Sequence, residues 1–245
     1  MEQQSEWFDE WFDSPYYHIL YKNRDYQEAR QFIDRLIKYF KITPGHKVLD
    51  LACGKGRHSI YLNEKGFDVV GVDLSERNIQ HAKKFENERL KFDTHDMREV
   101  YAEEEFDFVL NMFTSFGYFE NDKENEQAVC AAAKNLKPGG GLLIDFLNPY
   151  RVINNLVPQE QRTVEGITFD ISRSLSDDGY IEKNISFEDQ GKSHAFKERV
   201  KAIRRIEFLE YFRKAGLKLI TTFGNYQLEA YEPEKSDRMI FVTQK

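Results

Sequence analysis

The sequence predicts an α/β fold: a parallel sheet wound by helices and interrupted late in the chain by a block of antiparallel β structure. Three observations carry that prediction. The stretch Lys47 to Asp73, KVLDLACGKGRHSIYLNEKGFDVVGVD, reads as strand, glycine turn, helix, strand. Apolar runs alternate with helical spacing up to residue 147 and again from 206. Between 148 and 205 that rhythm gives way to alternating polar and apolar residues broken by turn signals.

The βαβ stretch organises the rest. The apolar run Val48 to Ala52 carries one acid, Asp50, and leads into Gly54-Lys55-Gly56. Helical spacing at Ile60, Tyr61 and Glu64 stops at Gly66, and a second apolar run, Val69 to Val72, ends in Asp73. Such a unit is suited to hold a nucleoside. Glycines 54 and 56 let the backbone approach a ligand with no Cβ in the way. A carboxylate at the tip of the second strand can accept both hydroxyls of a ribose. A dinucleotide site would read G-x-G-x-x-G, but Arg57-His58-Ser59 lacks the third glycine. Asp50, four positions before the first glycine, would repel a pyrophosphate and suit a cationic, amino-acid-like ligand end.

With these residues the chain resembles the class I S-adenosylmethionine (AdoMet) methyltransferases. The matching pieces are VLDLACGKG, GVDLS at 71–75, His95-Asp96-Met97, FDFVLNMFTSFGYF at 106–119 and LKPGGGLLIDF at 136–146, together covering about residues 45–147. The resemblance implies a Rossmann-like seven-stranded sheet with its last strand antiparallel, and S-adenosyl-L-methionine as cofactor. It implies Ala52, Gly54 and Gly56 along the methionine and ribose, Asp73 at the ribose hydroxyls with Leu74 also on the cofactor, and Asp96 with the Met97 amide on the adenine edge. Asp50 is expected to organise the turn near the methionine ammonium. Asn111 is expected at the ligand-binding end of its strand. Tyr21 and Arg24 are expected to reach the AdoMet carboxylate or the acceptor, as in glycine and sugar N-methyltransferases. Tyr118 is the expected substrate-facing residue of the loop 113–119.

Taken in order, the N-terminal segment is aromatic (Trp7, Phe8, Trp11, Phe12, Tyr16, Tyr17, Tyr21, Tyr26) and reads as a lid arm over residues 1–24. Asp25 and Glu28 have capping-box spacing, and Ala29, Phe32, Ile33, Leu36, Ile37 and Phe40 form a helical stripe. Ser75 is the expected N-cap of a helix to about Asn87, followed by a strand at Leu90–Phe92. Glu103-Glu104-Glu105 reads as a solvated loop. Phe106–Met112 is the fourth strand, buried on both faces. A helix over 123–136 is expected to end at Pro138-Gly139-Gly140-Gly141, with the fifth strand at Leu142–Phe146. The insertion, 148–205, predicts three or four strands with turns at Asp177-Asp178-Gly179 and Asp189-Gln190-Gly191. It reads as a cap over the acceptor or as a dimer surface. Ile206–Ala215 resumes a helix, and Leu217–Phe223 and Arg238–Thr243 close the sheet. Residues 1–147 and 206–245 would then form the AdoMet-binding domain. Tyr226, Tyr231 and Arg238 lie in or beside the loop joining the last two strands, and Arg238 has a plain reading as an ion-pair partner.

The 245 residues carry a net charge of −7, with 40% hydrophobic and 31% charged residues, an ordinary globular composition. That balance argues against a broad nucleic-acid surface. The acidic start MEQQSEWFDE and short apolar runs predict neither a signal peptide nor a membrane anchor. Only two cysteines occur, so a disulfide framework and metal spacing are not expected and a cytoplasmic location is. Cys53 reads as a small residue in a tight turn. The expected activity is methyl transfer to a small-molecule nitrogen or oxygen, by a monomer or homodimer. The alternatives are an RNA or protein methyltransferase and a non-catalytic AdoMet-binding protein. Displacement at a sulfonium needs alignment and a dry pocket rather than a catalytic dyad. His58 and His18 are possible bases, although a lone histidine after a glycine turn more readily reads as structural.

Overall fold

The structure, a computed structural model, describes residues 11–12, 14–22 and 26–245. Trp7, Phe8, Arg24 and Asp25, with the cap expected at Asp25, lie outside the described residues. The described residues form two compact units, one of residues 26–151 and 203–245 and one of 11–12, 14–22 and 152–202.

The first unit is a seven-stranded sheet. Its strands are β1 (Lys47–Leu51), β2 (Asp68–Asp73), β3 (Leu90–Thr94), β4 (Phe106–Asn111), β5 (Leu136–Leu147), β10 (Lys218–Phe223) and β11 (Arg238–Gln244). They lie in the order β10-β11-β5-β4-β1-β2-β3. The order reverses at β1, where β2 and β4 flank it in parallel, and β11 runs antiparallel to both β5 and β10. The crevice beyond the carboxyl end of β1 is therefore the place where an open α/β sheet binds its ligand. Helices α2 (Tyr26–Phe40), α3 (Arg57–Glu64), α4 (Glu76–Ala82), α5 (Asp122–Asn135) and α7 (Arg205–Lys214) belong to this unit. The stripe on α2 buries Phe32, Ile33 and Leu36 against Val48, Tyr61, Leu62 and Phe67, as its 3.6-residue period requires.

Two boundaries differ from the sequence expectation. Ser75 does cap α4, its hydroxyl accepting from the Asn78 N–H at 3.0 Å, but regular helix ends at Ala82 and a short 3-10 turn (Lys83–Phe85) follows. The glycine run after α5 is not a loop. Strand β5 begins at Leu136 and takes in Pro138 to Gly141, its pairing with β4 shifting between Phe106 and Phe108. The Gly139 N–H reaches the Lys245 carbonyl at 3.0 Å, so the edge of β11 draws the glycines into the sheet.

The second unit contains four antiparallel strands, β6 (Gln159–Val164), β7 (Ile167–Leu175), β8 (Tyr180–Asp189) and β9 (Lys192–Lys201), in that order. Both expected turns are present. A further two-residue hairpin, Glu165-Gly166, joins β6 to β7 with both residues at positive φ (51° and 82°), the twist that a tight hairpin needs. Helix α1 (Pro15–Leu20) belongs to this unit rather than to the seven-stranded domain. Trp11 and Leu20 are buried with Phe169, Ile171, Ile185 and Phe187, and the Trp11 indole donates to Glu198 at 2.6 Å. Trp11 and Leu20 are thus part of the core of the inserted sheet. Helix α6 (Pro149–Asn154) leads from β5 into this unit.

Candidate active site

The turn after β1 is built from unusual backbone. Ala52, Gly54 and Gly56 all have positive φ (58°, 57° and 81°). A Cβ on Gly56 would lie 2.6 Å from Phe92 Cζ, so this position accepts only glycine without repacking. Gly54 differs: among the described residues nothing lies within 4 Å of where its Cβ would be, and bare backbone faces open space. The turn is pinned by the Cys53 N–H on the Val72 carbonyl (2.9 Å) and the Gly56 N–H on the Cys53 carbonyl (3.0 Å). The Asp73 carboxylate, at the tip of β2, accepts from the Gly54 N–H at 2.8 Å and the Ser75 N–H at 2.9 Å. Its direction is therefore set by both flanking segments. Leu74 beside it is 40% exposed, an apolar surface next to an acid.

Asp50 is buried below this turn and accepts from the Ser59 hydroxyl at 2.6 Å, tying β1 to α3. Burial pushes its carboxyl up to about 7, against the opposing hydrogen bond from Ser59, with the Asp73 charge adding to the rise. Ser59, on the first turns of α3, is the partner that sequence reasoning missed. Cys53 is buried and its thiol is pushed well up, chiefly by burial, which suits packing and not nucleophilic attack.

After β3, Asp96 is half-buried in a turn whose Glu99 N–H reaches the Asp96 carbonyl at 3.0 Å. Both of its carboxylate oxygens accept from Arg98, from the backbone N–H at 2.8 Å and the guanidinium at 2.6–3.1 Å. Burial alone would raise the Asp96 carboxyl, but these bonds outweigh it and hold it below the usual range. Met97 lies in the same turn, partly exposed.

The carboxyl end of β4 is the most tightly determined part of the site. Asn111 is buried, and its amide donates to the Leu51 and Ser115 carbonyls, each at 3.2 Å. With both N–H groups committed, Oδ1 points away from them and meets no donor among the described residues. Phe113 and Thr114 then adopt φ of 59° and 60°, two successive non-glycine residues in the left-handed region. Fully buried Asp145 of β5 holds them there. Its carboxylate accepts from the Phe113 N–H (2.8 Å), its carbonyl from the Thr114 N–H (3.0 Å). Arg238 pairs with the same carboxylate at 2.7 Å and the Tyr226 hydroxyl donates to it at 3.1 Å. The plain ion-pair reading of Arg238 thus finds its partner, and an acid inside the apolar run Leu142–Phe146 was the signal. The Phe113 ring stacks on His58 at 4.7 Å with 9° between planes, and the Arg57 guanidinium lies 4.9 Å from the same ring. Tyr118 donates its hydroxyl to the Thr114 carbonyl. Beside the first turns of α3 a depression of about 100 Å³ is lined by Ala29, Arg30 and Ile33 of α2 and by Arg57, His58 and Tyr61.

Asp50, Ala52, Gly54, Gly56, Asp73, Leu74, Asp96, Met97, Asn111 and Tyr118 therefore all belong to the seven-stranded unit, on or just beyond the carboxyl ends of β1 to β4. Tyr21 does not. Its hydroxyl donates to Glu198 at 2.6 Å and contacts the Lys183 ammonium, both on the inserted sheet. Arg24 lies outside the described residues. Among the described residues no cluster of three His, Cys, Asp or Glu side chains could hold a metal, and no helix is long and apolar enough to cross a membrane.

Residues 48–140 match a family described as methyltransferase domain. The chain is 31% identical to a glycine/sarcosine N-methyltransferase of Aphanothece halophytica over 85% of this chain and 80% of that one. This chain belongs to the S-adenosylmethionine-dependent methyltransferases. It is also 26% identical to the dTDP-3-amino-3,4,6-trideoxy-alpha-D-glucopyranose N,N-dimethyltransferase of Streptomyces venezuelae, over 92% of this chain and 94% of that one. Among solved structures, the SAM-bound amino pentose methyltransferase CalS10 of Micromonospora echinaspora has the same fold (TM-score 0.72, 22% identity, 94% and 97% of the two chains). The cofactor of this methyltransferase is AdoMet. The residues present fit it: open backbone at Gly54, an acid fixed at the end of β2, an exposed apolar Leu74 and a buried acceptor on Asn111.

Proposed function

We propose that this methyltransferase acts on a small molecule bearing an amine, with a hydroxyl as the alternative acceptor. The observation that carries this reading is similarity over more than four-fifths of the chain to enzymes named for N-methylation of an amino sugar and of glycine and sarcosine. The net charge of −7 supports it, since a polyanionic acceptor would be repelled.

The roles follow from the chemistry of each group. Asp73 takes the ribose hydroxyls and Leu74 covers one face of the adenine. Asp96 accepts from the adenine amino group while the Met97 N–H donates to a ring nitrogen. Ala52, Gly54 and Gly56 line the methionine and ribose, and Asn111 Oδ1 accepts from the ammonium. Asp50 organises the turn through Ser59. When bound, AdoMet supplies a methyl group activated by a sulfonium. What the chain contributes is alignment and exclusion of water, and such positioning can lower a barrier by on the order of 7–11 kcal/mol. Phe113 and Tyr118, on a loop fixed by Asp145, border the acceptor. His58, buried against Phe113, serves as the floor of that loop and not as a base.

Incubation of the enzyme with methyl-labelled AdoMet and a library of amines, amino sugars, amino acids and hydroxylated metabolites tests the reading. Label is expected in an amine. Label confined to RNA or protein fractions would contradict it.

A further inference from the structure

Arg98 has no counterpart in the roles above, yet it is tied into the fold at both ends. One end grips Asp96 as described. The other donates to Glu124 Oε1 at 2.7 Å, and Glu124 is itself fixed, because its second oxygen accepts from the Asn121 side chain at 2.8 Å in the capping box that starts α5. The guanidinium also lies 5.0 Å from the Phe119 ring, and the Arg98 carbonyl accepts from Gln127 at 3.1 Å. The three charged side chains are only 19–24% exposed, so the cation cannot swing away without leaving two acids partly buried and unpaired.

We propose that Arg98 is the positioning residue for base selection, holding Asp96 ionised and in one rotamer so that only a base with a donor at its six-position is accepted. This rests on the adenine role proposed for Asp96. A carboxylate accepts from the amino group of adenine and repels the carbonyl oxygen of hypoxanthine. A carboxyl that rotates or takes up a proton can donate to that carbonyl instead, and discrimination collapses. The bidentate fork of an arginine fixes both the plane and the charge of its partner, which a lysine does not. The same side chain stitches the base-reading turn to the end of the loop 113–121, so the two sides of the site are held by one cation.

Calorimetric titration with S-adenosylhomocysteine and with S-inosylhomocysteine, its hypoxanthine analogue, measures the effect without requiring an acceptor. Wild type is expected to prefer the adenine compound by at least about 100-fold. Arg98→Ala is expected to cut that ratio about tenfold, chiefly by weakening S-adenosylhomocysteine. Glu124→Gln loosens the contact with α5 while Arg98 stays on Asp96, so it lowers Tm and leaves the ratio in place. A wild-type ratio in Arg98→Ala, with the ratio lost in Asp96→Asn, would overturn the inference and spare the adenine role of Asp96. A wild-type ratio in Asp96→Asn would overturn both. Should Arg98→Ala fail to fold, Arg98→Lys keeps the charge without the fork. Its ratio is expected to fall several-fold, and an unchanged ratio would count against the proposal.

Discussion

Asp50 and Asp145 are both buried acids beside the site, and they differ in the partners that surround them. Asp50 is bonded by Ser59, and burial outweighs both that bonding and the Arg57 charge, so the native state favours its protonated form up to about pH 7. The unfolded chain releases the same proton near 3.8. Between those values the native state holds more protons than the unfolded one, so stability falls as pH rises, and the full penalty is present above about pH 7. Asp50→Asn lacks this slope. Its unfolding free energy relative to wild type is expected to climb by a few kcal/mol between about pH 4 and 8. A constant difference in urea melts across that range would show that the acid stays ionised. Asp145, by contrast, has a cation and two further donors. Arg238→Met strands a fully buried carboxylate and is expected to cost about 3–5 kcal/mol, whereas Arg213→Met, which breaks the exposed pair with Glu210, is expected to cost far less. Equal losses from the two substitutions would contradict the role given to Asp145.

At the scale of elements, the turn after β1 separates two kinds of glycine. Gly56→Ala drives a Cβ into Phe92 from a left-handed backbone and should destabilise the fold by more than about 2 kcal/mol. Gly54→Ala puts its Cβ into open space, so it should cost the fold only about 1 kcal/mol yet weaken AdoMet binding about tenfold or more. Thermal melts and titrations on the two variants check this, and a shared pattern of losses would argue against the open face as the ligand side. The turn was legible in the sequence because two glycines and an acid at a strand tip answer to one chemical need. The loop after β4 was legible only in outline. Its shape depends on Asp145 and Arg238, 30 or more positions away, and no local propensity places two bulky residues at positive φ. Strand β5 was misread at its start for a related reason: Pro138 and three glycines signal a loop until a neighbouring edge, here the C-terminal strand, supplies the hydrogen bonds. Arg98 was passed over because one arginine two residues after an acid carries no periodic signal.

At the scale of the molecule, the seven-stranded order could be anticipated because each βα step has one allowed hand and the family pieces occur in order. The membership of the N-terminal helix could not, since an aromatic stripe does not say which surface it covers. Trp11 settles it by lying buried among the strands of the inserted sheet. Trp11→Ala is expected to cost that unit about 3–5 kcal/mol and to leave Glu198 without its indole donor. Hydrogen exchange should then speed up across β7 to β9 and stay unchanged in β1 to β5. Uniform loss of protection over both units would mean that they unfold as one. In the other unit, the glycine turn and the fixed acid of β2 are proposed to hold the cofactor. Titration of AdoMet into wild type and Asp73→Ala tests it most directly. The dissociation constant should rise at least about tenfold in the variant, because an ionised acceptor for two hydroxyls is lost. An unchanged constant, or a wild-type protein that ignores AdoMet and takes up a nicotinamide dinucleotide, would contradict it.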